Sequence, residues 1–314
     1  MNLRDRIHRW WVSRHPVTDS WTLTQGNIYI LPTRAGFVFA ATLVTMLLAS
    51  INYQLSLGYV LTFLLAGSGF MSMHMTHATL RGLTLHLRPP APAFAGEPAV
   101  LEVVVTGPAR QRYGIGIGFD DRLARHAWID VPAAGTSTAH VSFVPPRRGM
   151  HRVPVLRAET RFPFGLFRAW TIWRPASQVL AWPAPEQPAA PLPAPHPVAG
   201  DAQNRRAAGG GELEGVRAYR RGDSMRQVVW KKAAKTGELV SRDTSTAARR
   251  ELWLDYQATA LPHVEQRLSR LAAWVLAAER AGMAHGLRLP GVEIAPAQGD
   301  AHRRRALEML ALWG

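Results

Sequence analysis

The sequence predicts a mixed fold: a helical hairpin long and apolar enough to cross a membrane, an antiparallel β-sandwich, and a small α/β domain. Three observations carry this expectation. No Asp, Glu, Lys or Arg occurs among the 46 residues of the stretch 35–80. Between residues 83 and 173 short runs alternate apolar and polar side chains between turn signals. Beyond residue 250 a strand-like run, a long amphipathic run and a second strand-like run follow in βαβ order. The expected parts are a basic N-terminal segment 1–34, the hairpin 35–80, a β-sandwich 81–175, a Pro/Ala-rich linker 176–208, and the α/β part 209–314.

The charge-free stretch divides at Asn52-Tyr53-Gln54-Leu55-Ser56. As one helix it would run roughly 69 Å, more than one bilayer crossing needs, whereas halves near 35–51 and 57–75 each approach the length of a span. Small residues at Ala40, Ala41, Gly58, Gly67 and Gly69 are expected to let the two helices approach. A cleaved secretory signal fits poorly, because the apolar run starts after 34 mostly polar residues. A hairpin buried inside a soluble core is the competing reading, although core helices normally keep a polar face. Arg4, Arg6, Arg9, Arg14 and Arg34 precede the hairpin, Arg81 and Arg88 follow it, and its central turn is uncharged. The positive-inside rule then places both termini in the cytoplasm of a two-pass protein.

Composition bounds the rest. The 26 Gly and 23 Pro favour many short elements and turns. The absence of cysteine excludes a disulfide framework, a thiolate nucleophile and a Cys-based zinc site, and fits a reducing compartment. The net charge of +15 points to an anionic partner. Residues 1–200 hold 18 basic and 9 acidic residues, 201–250 hold 12 and 6, and 251–314 hold 7 of each. The excess is thus shared between the N-terminal two-thirds and one segment, 205–250.

Strands are expected at 83–87, 100–106, 115–119, 127–131, 139–144, 152–158 and 167–173, with turns at Gly96, Gly107-Pro108, Gly135 and Pro145-Pro146-Arg147-Arg148-Gly149. Seven short strands at that spacing suggest an immunoglobulin-like antiparallel sandwich. Gly114-Ile115-Gly116-Ile117-Gly118 imitates a phosphate loop but lacks the required spacing and a following helix. It reads better as a glycine-alternating strand with a bulge or a close approach. Residues 183–200 carry seven prolines and suggest an extended, semi-rigid spacer.

Residues 211–243 read GELEGVRAYRRGDSMRQVVWKKAAKTGELVSRD. Gly222-Asp223 suggests a turn, with Asp223 capping a helix that begins near Ser224. On that helix Arg226 and Trp230 would share a face. Matching positions Gly211, Glu212, Gly215, Arg217, Tyr219, Gly222, Asp223, Arg226, Trp230, Lys231 and Ala234 resemble the signature of the bacterial domain-of-unknown-function family fifty-eight. Leu213, Val216 and Val228 replace apolar residues of that pattern, and Val229 replaces an Asp. The segment RFPFGLFRAW from Arg161 to Trp170, the turn Arg147-Arg148-Gly149 and the paired helices extend the resemblance over about 35–314.

The C-terminal part is expected to hold strands at 251–257 and 284–289 and helices at 261–281 and 300–312, with Val264, Leu268, Leu271, Val275 and Ala278 buried at helical spacing. In the family this region is similar to a shortened von Willebrand factor A domain, whose metal motif aligns with Asp255-Tyr256-Gln257-Ala258-Thr259. Gln257 replaces the first serine of that motif. Asp255 and Thr259 are therefore the candidate metal ligands, but no metal is expected, and Asp255 is expected to accept backbone N–H groups instead.

No catalytic constellation stands out, and no cofactor is expected. His74 and His77 share a helix face without a carboxylate nearby, and Glu212 and Glu214 read as solvated charges. What the resemblance implies is a non-enzymatic adaptor or scaffold in the bacterial inner membrane. It would work beside a MoxR-type AAA+ ATPase, and often a transglutaminase-like membrane protein, in complex assembly or envelope and stress functions. The partner-binding candidates are Arg217, Arg220, Arg221, Asp223, Arg226, Trp230, Lys231, Lys232 and Lys235. The alternative is nucleic-acid or anionic-lipid binding through 205–250. Interleaved acids and only two aromatics, Tyr219 and Trp230, argue against nucleic acid.

Overall fold

The computed structural model describes residues 15–121, 125–197, 216–218, 240–242 and 250–314. They fall into two units, Met1–Ala184 with Ala311–Gly314, and Pro185–Leu310.

The first unit begins with two short strands, β1 (Ser20–Thr22) and β2 (Tyr29–Pro32). Both lie within the segment 1–34 and pair with strands from later in the chain. β1 pairs with β3 (Thr84–Leu87), and β2 pairs with β11 (Phe167–Trp173). The Asp19 carboxylate adds a fastening: it accepts the backbone N–H groups of Ala176 (2.9 Å) and Ser177 (2.8 Å) and the Ser177 hydroxyl. Such charge-assisted bonds hold a chain entry firmly.

Two helices follow, α1 (Arg34–Asn52) and α2 (Ser56–Leu80), both long and apolar enough to cross a membrane. Their large side chains face outward: Leu57 is 80% exposed, Val38 67% and Leu64 66%. A hairpin buried within the chain's own core is thereby ruled out. Apart from Leu80 at its end, the residues buried on α2 are small or hydroxylated, namely Thr62, Gly69, Ser72, Thr76 and Thr79. Gly58 and Gly69 sit at close approaches, where an added Cβ would lie 2.3 Å from Ser50 Oγ and 2.9 Å from the Phe39 ring. Gly67 meets nothing within 4 Å, and Ala40 and Ala41 are exposed, so these three are not part of the helix contact. α2 also outruns its expected end near residue 75. Its last turn carries the fully buried Leu80 against the strands below.

The strands are β4 (Ala93–Phe94), β5 (Ala99–Thr106), β6 (Arg112–Phe119), β7 (Ala127–Val131), β8 (Thr136–Phe143), β9 (Gly149–Arg152), β10 (Leu156–Thr160) and β12 (Gln178–Trp182), besides those above. They form a four-stranded sheet β1-β3-β5-β8, a five-stranded sheet β2-β11-β10-β6-β7 and a small sheet β4-β12-β9. The first two are antiparallel and share one core, which includes Leu85, Leu101, Val103, Ile115, Ile117, Leu156 and Trp173. β5 shows why: its burial alternates residue by residue, as a half-buried strand must. The run expected as one strand at 152–158 is broken in two around Pro154, which cannot donate to a ladder. The glycine run lies in β6. Gly114 has φ +61° beside a register shift, and the Trp128 ring lies about 3.0 Å from where a Gly116 Cβ would stand.

In the second unit the stretch expected to be a spacer lies against a helix. Glu186 forms a bidentate pair with Arg270 at 2.8 Å, and the Trp274 indole donates to the Ala190 carbonyl at 3.2 Å. Both partners lie on α3 (Val264–Arg280). β13 (His196–Pro197) pairs with β16 (Arg250–Asp255). β16 runs parallel to β17 (His285–Leu289), with α3 as the connection between them, and β18 (Val292–Ala297) closes the sheet in the order β13-β16-β17-β18. α4 (Asp300–Leu312) ends the chain. Leu268, Leu271, Val275 and Ala278 are buried as their spacing requires, but Val264, in the first turn of α3, is 45% exposed. A further pair, β14 (Val216–Ala218) and β15 (Val240–Arg242), is antiparallel.

Candidate functional site

The place where α1 and α2 meet the β-unit is built around the turn that joins β10 to β11, residues 161–166. Thr33 is the N-cap of α1: its hydroxyl accepts the Gly36 N–H at 3.1 Å, as capping requires, and donates to the Gly165 carbonyl at 2.6 Å. Its backbone N–H donates to the Leu166 carbonyl at 2.9 Å. Gly36 must be glycine, because a Cβ would lie 2.1 Å from that same Leu166 oxygen. From the other helix, the buried Thr76 hydroxyl lies 2.8 Å from the Phe162 carbonyl and 2.8 Å from that of Ser72. Each helix is therefore bonded to the same turn, and the Phe162–Pro163 peptide within it is cis.

Beside this turn opens a cleft of about 620 Å³, lined by Leu31, Pro32, Thr33, Arg34, Ala35, Arg161, Gly165 and Arg168. Its size falls within the roughly 300–1,000 Å³ typical of small-molecule sites. Three arginines line it, and two of them face one carboxylate. Glu159, with only 3% of its side chain exposed, lies 3.4 Å from Arg161 and 3.9 Å from Arg168. Arg34 makes no ion pair among the described residues. The Arg168 guanidinium also lies 4.8 Å above the Trp170 ring. Burial, only partly countered by Glu159, holds its pKa below the ordinary arginine value.

The residues singled out from the sequence lie elsewhere. Arg217 falls on β14, opposite Ser241 in the pairing with β15. Arg220, Arg221, Asp223, Arg226, Trp230, Lys231, Lys232 and Lys235 lie outside the described residues, as does the helix expected after Ser224. Asp255 ends β16, where its Oδ1 accepts the Gln257 N–H at 2.8 Å and its Oδ2 lies 4.0 Å from Arg288. Thr259 is buried, and its hydroxyl donates to the Tyr256 carbonyl at 2.7 Å. Both side chains thus have structural partners. Among the described residues, no group of three or more His, Asp or Glu is placed to hold a metal ion. His74 packs edge-on against Phe70 at 4.6 Å between ring centres.

Sequence reasoning missed the cleft. Its arginines come from positions 34, 161 and 168, and only the β2–β11 pairing and the β10–β11 turn bring them together. One signal was present: Thr33, two residues before the apolar run begins at Ala35, has the form of an N-cap. No protein-family model matches the chain, and neither does any curated protein sequence.

Proposed function

We propose that the chain is a two-pass adaptor of the bacterial inner membrane, without chemistry of its own, whose termini both lie in the cytoplasm. The observation that carries this reading is the hairpin: two long helices with outward-facing apolar side chains, each bonded at its membrane-proximal end to the 161–166 turn. A bilayer is the solvent that suits such a surface, since exposing it to water is costly. Arginines at both flanks and none in the turn support the orientation. The paired sheets are read as an immunoglobulin-like sandwich, and the C-terminal unit as a shortened von Willebrand factor A-like domain.

The partner follows from the signature resemblance at 211–243: a MoxR-type AAA+ ATPase, with a transglutaminase-like membrane protein as a further associate. The cations Arg220, Arg221, Lys231 and Lys232 are assigned to an acidic face of the ATPase. The test is affinity capture of the full-length chain from native membranes with mild crosslinking. An ATP-dependent enrichment of the ATPase is expected, and it should fall when these four residues are changed to Glu. Capture unaffected by the reversal removes the segment from the interface, and capture of nucleic acid in its place removes the adaptor reading.

A further inference from the structure

The 161–166 turn, the start of β11 and the start of α1 combine features that an adaptor does not require. Arg34, Arg161 and Arg168 converge on one cleft with Glu159 as the nearest carboxylate, which leaves two positive charges in excess. Guanidinium groups match phosphate oxygens in fork geometry and hold them bidentately. The lining also holds apolar residues, Leu31, Pro32 and Ala35, and Leu31 is 57% exposed. Phe164, at the tip of the same turn, is 67% exposed. The first large outward apolar residue of α1, Phe37, follows Arg34 by three positions, roughly 4.5 Å of helix rise. The cleft therefore stands at the level where a lipid phosphate would lie, given the membrane anchoring proposed above.

We infer that this cleft binds the phosphate of an anionic lipid headgroup, with the arginines on the phosphate and Leu31 and Phe164 entering the acyl boundary. The inference rests on the anchor reading. A free phosphate shares the charged half of this chemistry, but it has no use for the apolar residues. An arriving anion favours the charged form of Arg168 and so offsets the cost of its burial. Bound lipid would fix the β-unit at a set height and rotation against the bilayer, which a flexible tether cannot do.

The test uses the full-length protein, reconstituted in phosphatidylcholine bilayers containing phosphatidylglycerol, released in mild detergent and weighed by native mass spectrometry. Arg34→Gln and the double variant Arg34→Gln with Arg161→Gln are compared with the natural sequence. Arg168 is kept so that Glu159 retains a partner. Circular dichroism and resistance to carbonate extraction check folding and insertion. Selective retention of phosphatidylglycerol is expected, weakened roughly fivefold by each arginine removed, with no competition from inorganic phosphate. Equal retention in folded variants overturns the proposal. Competition by inorganic phosphate overturns the lipid as the source and leaves a phosphate site. Release of the natural chain by carbonate refutes the anchor itself, and with it the lipid, whichever way the phosphate arm reads.

Discussion

Gly36→Ala should destabilise the protein even though alanine is the better helix former. Within a helix the exchange normally gains about 1 kcal/mol. Here the new Cβ would stand 2.1 Å from the Leu166 carbonyl oxygen, a backbone atom that cannot swing aside. That oxygen also accepts the Thr33 N–H at 2.9 Å and lies 3.2 Å from the Thr33 hydroxyl. Moving it away weakens both contacts, at about 1 kcal/mol each, and forcing the helix outward adds about 1–3 kcal/mol of overpacking. After the propensity gain, the net loss is about 2–4 kcal/mol. The assay is thermal unfolding of the full-length protein in mild detergent, where about 1 kcal/mol corresponds to a shift of roughly 2–4 °C for a domain of this size. Gly67→Ala is the control, because nothing lies within 4 Å of that position. Its melting temperature should stay level or rise. Equal stability of Gly36→Ala and the natural chain, or equal losses at both glycines, would refute the docking of α1 on the 161–166 turn.

Thr76→Val keeps the shape of a fully buried side chain but removes the hydroxyl that reaches the Phe162 carbonyl. A loss of about 1 kcal/mol is expected. Combined with Gly36→Ala, it should give a non-additive total, because both changes loosen one turn. In the second unit, burial pushes the His285 imidazole below its ordinary value of 6.5. The unfolded chain then binds the proton more readily, so this contribution is complete above pH 6.5 and is lost as pH falls through the depressed folded value. The Arg270 hydrogen bond holds the Glu186 carboxyl below its ordinary 4.5, so its contribution is lost only at still lower pH. Unfolding curves across this range should show two separable losses. His285→Gln should flatten the upper one and Glu186→Gln the lower, and a profile unchanged by either substitution contradicts the assignment.

The hairpin was legible because 46 residues without a charged side chain leave little else to read. Strands such as β5 and β8 were legible because eight residues are enough to display a period of two. β1 and β2, with three and four residues, are too short to show any period; tertiary pairing defines them. β18 was hidden by Pro296, which the sheet tolerates because β18 is an edge strand. The prolines around Gln178–Trp182 and at 183–197 suggested a spacer. Nothing local announced that Glu186 would meet Arg270, 84 positions away. The cleft had the same fate, since Arg34 is distant in sequence from Arg161 and Arg168 and read only as a charge flanking the hairpin.

The central claim is a two-pass anchor with the β-unit on the cytoplasmic side, and the absence of native cysteine makes it directly measurable. Tyr53→Cys places a thiol in the hairpin turn, at a position 71% exposed, and Glu97→Cys places one on an exposed turn of the β-unit. Intact cells are treated with a membrane-impermeant maleimide before and after permeabilisation of the inner membrane. The account predicts labelling of the turn cysteine in intact cells, and labelling of the β-unit cysteine only after permeabilisation. Labelling of the β-unit cysteine in intact cells, or protection of both until the cells are opened, would contradict it.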